Sequence, residues 1–257
     1  MKINLFNSAS EILGNAGLEL VRLYTGSALQ LNAYDVTACG YAARADDFFL
    51  STTQNIPIAL KLPLEIDNGK NRLELVDHYR TEAIKRSCED YLVRCVSVID
   101  ASFEEVYEMS LEKLSPQLNA KQQQHKVKSS WAFNVNGRTD IATYFVDTLG
   151  LIAPPGKQST IDMVFDRYCE IREVRHALVH NRGVLSERHQ IRLNQLRSRL
   201  PENLRHGSIA SAEFLADGVV VMSMHEMLAL RQWFYTVILG FLREAFSYGM
   251  EHAAHEY

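Results

Sequence analysis

Cysteine, proline and long apolar runs are all scarce in this chain of 257 residues, and each scarcity excludes something. The four cysteines (Cys39, Cys88, Cys95 and Cys169) lie far apart with no Cys-x-x-Cys pair. They read as buried thiols of a cytosolic protein. The longest apolar run, Trp233–Leu242, is about half of the roughly 20 residues a membrane span needs, so no membrane role is expected. The N-terminus carries one early Lys and no sustained apolar stretch, so it does not read as a secretory signal, and a cytoplasmic protein is expected. Charge of one sign is also missing. With 27 basic and 31 acidic residues the formal charge is −4, and the whole molecule is not a polycation that coats nucleic acid. Extended disorder is excluded by a hydrophobic content of 47%, spread along the chain. The length suits one large domain or two small ones, and no internal repeat is visible.

Proline and glycine divide the chain unevenly. Residues 1–70 read as a mixed α+β or β-containing segment of unknown function, because 29–36 and 48–62 alternate or cluster apolar residues as strands do. Pro57 and Pro63 make the second stretch an edge or irregular. Residues 71–257 read as a mainly α domain, a bundle of four to five helices with one small hairpin. From Leu73 a stripe through Ile84, Tyr91, Ile99, Phe103 and Val106 predicts a long helix, broken at most once and stopped by Pro116. Residues 117–137 read as a polar loop. Thr139 or Asp140 can cap a short helix, and Ser159 with Asp162 has the form of another helix start. That helix should end at Gly183. A basic helix over 187–200 is stopped by Pro201, Asp217-Gly218 marks a β-hairpin at about 212–222, and 226–249 closes the chain as an apolar helix.

The informative segment is Arg175-His176-Ala-Leu-Val-His180-Asn181-Arg182-Gly183. Residues 167–206 hold nine Arg, four Glu and four of the nine His. Such a local excess is the footprint of phosphate binding, although cations also favour helix C-termini for structural reasons. Arg175 and His180 are five residues apart, so on a regular helix they point about 140° away from each other. Either the helix loosens before His180, or two chains meet so that Arg and His from both converge on one ligand. His176 and His180, at i and i+4, also have a spacing that suits zinc, but no third ligand is fixed nearby.

At these residues the sequence resembles the HEPN superfamily (higher eukaryotes and prokaryotes nucleotide-binding domains). Arg175-His176-Ala-Leu-Val-His180 looks like that family's Arg-polar-x3-His signature near the end of a long helix, and the resemblance spans about residues 72–257. It implies a HEPN-like helical bundle and a metal-independent endoribonuclease without cofactors. That enzyme would act as a homodimer on RNA and serve as a toxin or antiviral defence effector. An antitoxin or regulatory protein would then be a partner. Carried over, Arg175 and His180 are the catalytic pair, with His176, Asn181 and Arg182 supporting or binding RNA. Some members keep the fold as a dimerisation or RNA-binding module without cleavage, and that is the alternative function.

Each candidate has a competing structural reading. Arg175 can pair with Glu170 or Glu173, and His180 can cap the helix end. His189 and His206 read as surface residues, and His252 and His255 as part of a frayed terminus. Trp131 and Phe133, near Lys126 and Lys128, can stack on bases or anchor the polar loop. Tyr144, Phe165 and Tyr168 fall at core spacing.

Overall fold

The structure, a computed structural model, describes residues 2–51, 55–61, 69–207 and 209–255. It opens with α1 (Lys2–Ala42), a single helix of 41 residues. No proline interrupts this stretch, and a helix propagates at little cost once nucleated. Its buried face, Leu5, Phe6, Ala9, Leu13, Ala16 and Leu20, recurs at steps of three and four. The strand expected over 29–36 is therefore corrected: these residues lie inside α1, with Leu31 buried and Leu29 and Val36 exposed. Alternation there is a matter of composition, and the register of the flanking turns decides the structure. The other expected strand shrinks to β1 (Phe49–Leu50), paired antiparallel with β2 (Lys70–Asn71). Residues 58–60 form one 3-10 turn, while 52–54 and 62–68, with Pro63, lie outside the described residues.

The stripe from Leu73 forms α2 (Arg72–Arg80) and α3 (Glu82–Leu114), broken once, at Thr81. Tyr79 of α2 packs against Tyr34 and Tyr41 of α1, with ring centroids 5.7 and 6.0 Å apart. The polar loop expected at 117–137 is corrected in part, because α4 (Ala120–Lys128) lies within it. Asn119 accepts from the Gln122 N–H, and the Gln122 side chain accepts from the Asn119 N–H. This reciprocal cap starts a helix that polar composition disguises. α5 (Asp140–Thr143) is capped by Thr139 and runs on as a π turn, Tyr144–Thr148.

α6 (Ile161–His180) is capped by Thr160, one residue beyond the expected Ser159. α7 (Glu187–Arg199) follows, ending before Pro201. The hairpin β3 (Leu215–Ala216) and β4 (Val219–Val220) turns through Asp217 and Gly218, both at positive φ (51° and 76°). α8 (Met224–Trp233) passes through a π-helical segment, Phe234–Phe241, into α9 (Leu242–His255). The side chains of His252 and His255 lie outside the described residues. α9 lies close along α1: Phe6 and Phe246 meet edge to face at 5.4 Å, and a Cβ on Gly249 would stand 2.7 Å from the Phe6 ring.

One hydrophobic cluster draws on α1, α3, α5, α6, α7 and the α8–α9 rod, so the N-terminal helix shares its core with residues 71–257. Phe165 and Tyr168 are buried in it, and Tyr144 is half-buried against it. Cys88, Cys95 and Cys169 are buried as expected, whereas Cys39 is exposed on α1, which corrects that expectation. No helix of the described residues is long and apolar enough to cross a membrane.

Candidate functional site

α6 and α7 pack antiparallel, and their seam is built from charge. Arg199 meets Asp166 at 3.0 Å, Arg197 lies 3.8 Å from Glu170, and Arg192 lies 3.4 Å from Glu173. Each step toward the C-terminus of α6 is matched by a step toward the N-terminus of α7, which is the register of an antiparallel helix pair. Glu170 is fully buried and also accepts from Arg167 and from Ser211 Oγ (2.8 Å). Such pairing is what makes buried carboxylates tolerable. Burial still raises both groups. Asp166 is pushed up to about 6, with Arg199 opposing the shift, and Glu170 is raised against the pull of Arg167 and Ser211.

One turn past Glu173 the pattern changes. The next rung is His176 opposite His189, with ring centroids 6.4 Å apart, and His180 lies 5.1 Å from His176. Burial lowers the His176 pKa, reinforced by His180, Arg172 and Arg175 and opposed by Glu173. His189 also belongs to the cap of α7: its Nδ1 accepts from the Ser186 N–H, and Ser186 Oγ accepts from the His189 N–H, both at 3.4 Å. This leaves Nε2 as the free nitrogen of the ring. His189 is thus half-buried beside His176, while His206 is exposed as expected.

The arginines divide in the same way. Of the nine in residues 167–206, Arg167, Arg172, Arg192, Arg197 and Arg199 each face a carboxylate. Arg205 donates to the carbonyls of Leu200 and Ser198 at the end of α7. Asp100 and Asp166 enter from outside that stretch, so much of its apparent excess charge is neutralised. Arg175, Arg182 and Arg188 have no carboxylate partner among the described residues. Arg182 and Arg188 lie near the end of the seam that carries the histidines, whereas Arg175 points away from the seam around α6.

Arg175 is half-buried on α6, and its Nε is enclosed without a hydrogen-bond partner. It pairs with neither Glu170 nor Glu173, which are taken by Arg167, Arg197 and Arg192. His180 is the last helical residue and is exposed, and Asn181 is the C-cap. α6 stays regular through His180, so the first of the two arrangements, a helix loosened before His180, does not occur, and Arg175 and His180 remain about 140° apart around the helix. Arg182 and Gly183 both take positive φ (53° and 81°), and the Gly183 N–H returns to the Ala177 carbonyl at 2.9 Å. A left-handed conformation costs an arginine about 1 kcal/mol, and outliers of this kind cluster at functional sites. The hairpin holds the turn in place: Leu185 N–H donates to Gly218, and Val220 N–H to Gly183 (2.9 and 2.8 Å).

Trp131 is an anchor. Its Nε1 donates to Glu104 at 2.8 Å, and the Arg172 guanidinium covers its ring at 3.8 Å. Phe133 is different, since it lines a cleft beside α7. Arg188 and His189 are the residues that sequence reasoning did not place in the site. Counting back from Gly183 on α6 and forward on α7 as an antiparallel pair would have set His189 opposite His176. Among the described residues no three His, Cys, Asp or Glu side chains are grouped so as to hold a metal ion. Comparison with protein-family models, curated proteins and solved structures finds no match to this chain.

Proposed function

We propose that this chain is a metal-independent endoribonuclease of HEPN type, acting as a homodimer. The observation that carries this reading is the change along the α6–α7 seam. Carboxylate–arginine rungs end at Glu173, and beyond it stand three histidines with Arg182 and Arg188, which have no acid partner among the described residues, while the likewise unpaired Arg175 leaves α6 on another side. Such a cluster has the charge to hold RNA phosphates and imidazoles that can accept or donate a proton. RNA supplies its own nucleophile, the 2′-hydroxyl. His180 accepts or donates the proton, and Arg175 stabilises the charge that builds on the phosphate. A 2′,3′-cyclic phosphate end results. His176, Asn181 and Arg182 support or bind RNA. Because one chain keeps Arg175 and His180 on different sides of α6, the productive pair is assembled across a twofold axis. A toxin or defence role, with a silencing partner protein in the cytoplasm, follows from the same resemblance.

The test is cleavage of total cellular RNA with EDTA present. Wild type should leave cyclic-phosphate ends, and Arg175→Ala and His180→Ala should each abolish them. Cleavage unaffected by either change would end this reading. The 140° separation and the enclosed Nε of Arg175 favour a second reading. In it the chain is a dimerisation or RNA-binding module without chemistry, which would show salt-dependent RNA affinity and no products.

A further inference from the structure

Past the unpaired Arg188, arginines that are paired with carboxylates continue along α7 into a cleft that the catalytic reading does not use. Arg188, Arg192, Gln195 and Arg199 lie within about 60° of one another around the helix, given 3.6 residues per turn. They form a stripe that starts beside His189. Facing it is the turn over residues 133–137, and between the two lies a cavity of about 410 Å³. That volume is in the range of small-molecule sites.

The cleft is preformed. Asn134 Oδ1 accepts from the N–H groups of Asn136 and Arg138 (2.9 and 3.1 Å), while its Nδ2 donates to Thr143 Oγ1 at 3.0 Å. Arg199 ties the two walls together by donating to the Gly137 carbonyl while paired with Asp166. Gly137 has φ 75°, and a Cβ there would stand 3.0 Å from the Arg199 guanidinium, so a side chain at this position would strain the turn. Inside the cleft the Arg192 guanidinium lies 4.4 Å from the Phe133 ring centroid, its charge held by Glu173. Asn136 and Gln195 are exposed on opposite walls, and their side-chain amides have no partner among the described residues. Val135, wholly exposed at the tip of the turn, adds an apolar lip.

A flat ring with a guanidinium, flanked by free carboxamides, is the chemistry that receives an unstacked nucleobase. The ring and the guanidinium give stacking surface, and a carboxamide offers a donor and an acceptor to a base edge. The geometry points to a base-binding subsite for single-stranded RNA between residues 133–137 and α7, about one helical turn from His189. This assignment rests on the RNA reading given above. The strand would pass from the unpaired arginines along the α7 stripe and place one base in the cleft.

The experiment measures binding of a fluorescein-labelled single-stranded RNA at several salt concentrations. Phe133→Leu keeps the apolar volume of the turn, and Asn136→Ala with Gln195→Ala changes only exposed groups. Each should weaken binding roughly tenfold, the scale of one lost base stack, without altering the salt slope, because no phosphate contact is removed. Arg188→Ala should lower that slope. RNA carrying 4-thiouridine should photocrosslink to the peptides containing residues 133–137 or 192–199. If RNA binds with wild-type affinity in both sets of cleft variants and crosslinks map elsewhere, the subsite is overturned and the RNA reading stands. If the wild-type protein binds no RNA at low salt, the RNA reading fails and the subsite falls with it.

Discussion

Asp166 offers the most direct measure of what the charged seam costs. It sits almost buried on α6 against Arg199, and burial pushes its carboxyl from 3.8 to about 6. In the unfolded chain it titrates at about 3.9. Between those values the folded protein binds more protons than the unfolded one, so stability falls as pH rises from about 4 to 6. The gap of roughly two pH units, at about 1.36 kcal/mol each, amounts to about 3 kcal/mol. Asp166→Asn removes the ionisation and keeps the shape. The variant should therefore match wild type near pH 4 and exceed it by about 3 kcal/mol at pH 7. For a chain of this length that is about 5–6 °C in Tm. Arg199 stays charged throughout and keeps its bond to the Gly137 carbonyl, so it adds no pH dependence of its own. Thermal melts by far-UV circular dichroism across pH 4 to 7 would read the difference. A difference that stays flat over that range, or that turns against the variant, would refute the argument that burial outweighs the ion pair.

Other outcomes test the same structure. Glu170→Leu leaves Arg167 buried and uncompensated, for a loss of about 3–5 kcal/mol, and adding Arg167→Met should recover most of it. Equal losses in the single and double variants would show that charge is not the cause. Gly249→Ala drives a methyl into the Phe6 ring at 2.7 Å, and should lower stability by about 1–3 kcal/mol in denaturant melts. An unchanged midpoint would mean that α1 and α9 do not pack as closely as described. Ellman's reagent should titrate Cys39 alone in the folded chain and all four thiols after denaturation. Burial holds the remaining three thiols up at about 11 (Cys88) and about 12 (Cys95 and Cys169), so rapid reaction of more than one would contradict that burial.

Much of the helical domain was legible wherever a local signal and the apolar period agreed. Pro116 and Pro201 end helices, Asp217-Gly218 turns the hairpin, and the stripe from Leu73 becomes α2 and α3. The misreadings have physical causes. Residues 29–36 alternate in hydrophobicity by chance inside a helix whose register is set by turns on either side. α4 carries almost no apolar residues, so only its Asn-x-x-Gln cap announced it. At the site, the Arg175 and His180 spacing was readable, and α6 is helical across both residues, which sets them about 140° apart.

By itself the sequence determined the elements whose causes are local: helix stops at prolines, caps at Asn, Thr and Ser, the tight turn, and the cluster of basic residues between 167 and 206. Which of those charges are paired depends on how the helices pack against one another. Asp100, Asp166, Glu170 and Glu173 pair with five arginines, Glu170 with two of them, and three of those pairings depend on α6 meeting α7 in an antiparallel register while a fourth needs α3. A charge count sums residues along the chain, whereas an ion pair forms between residues brought within about 4 Å in space. The same register sets His176 against His189 and opens the cleft at Phe133, neither of which local sequence can specify.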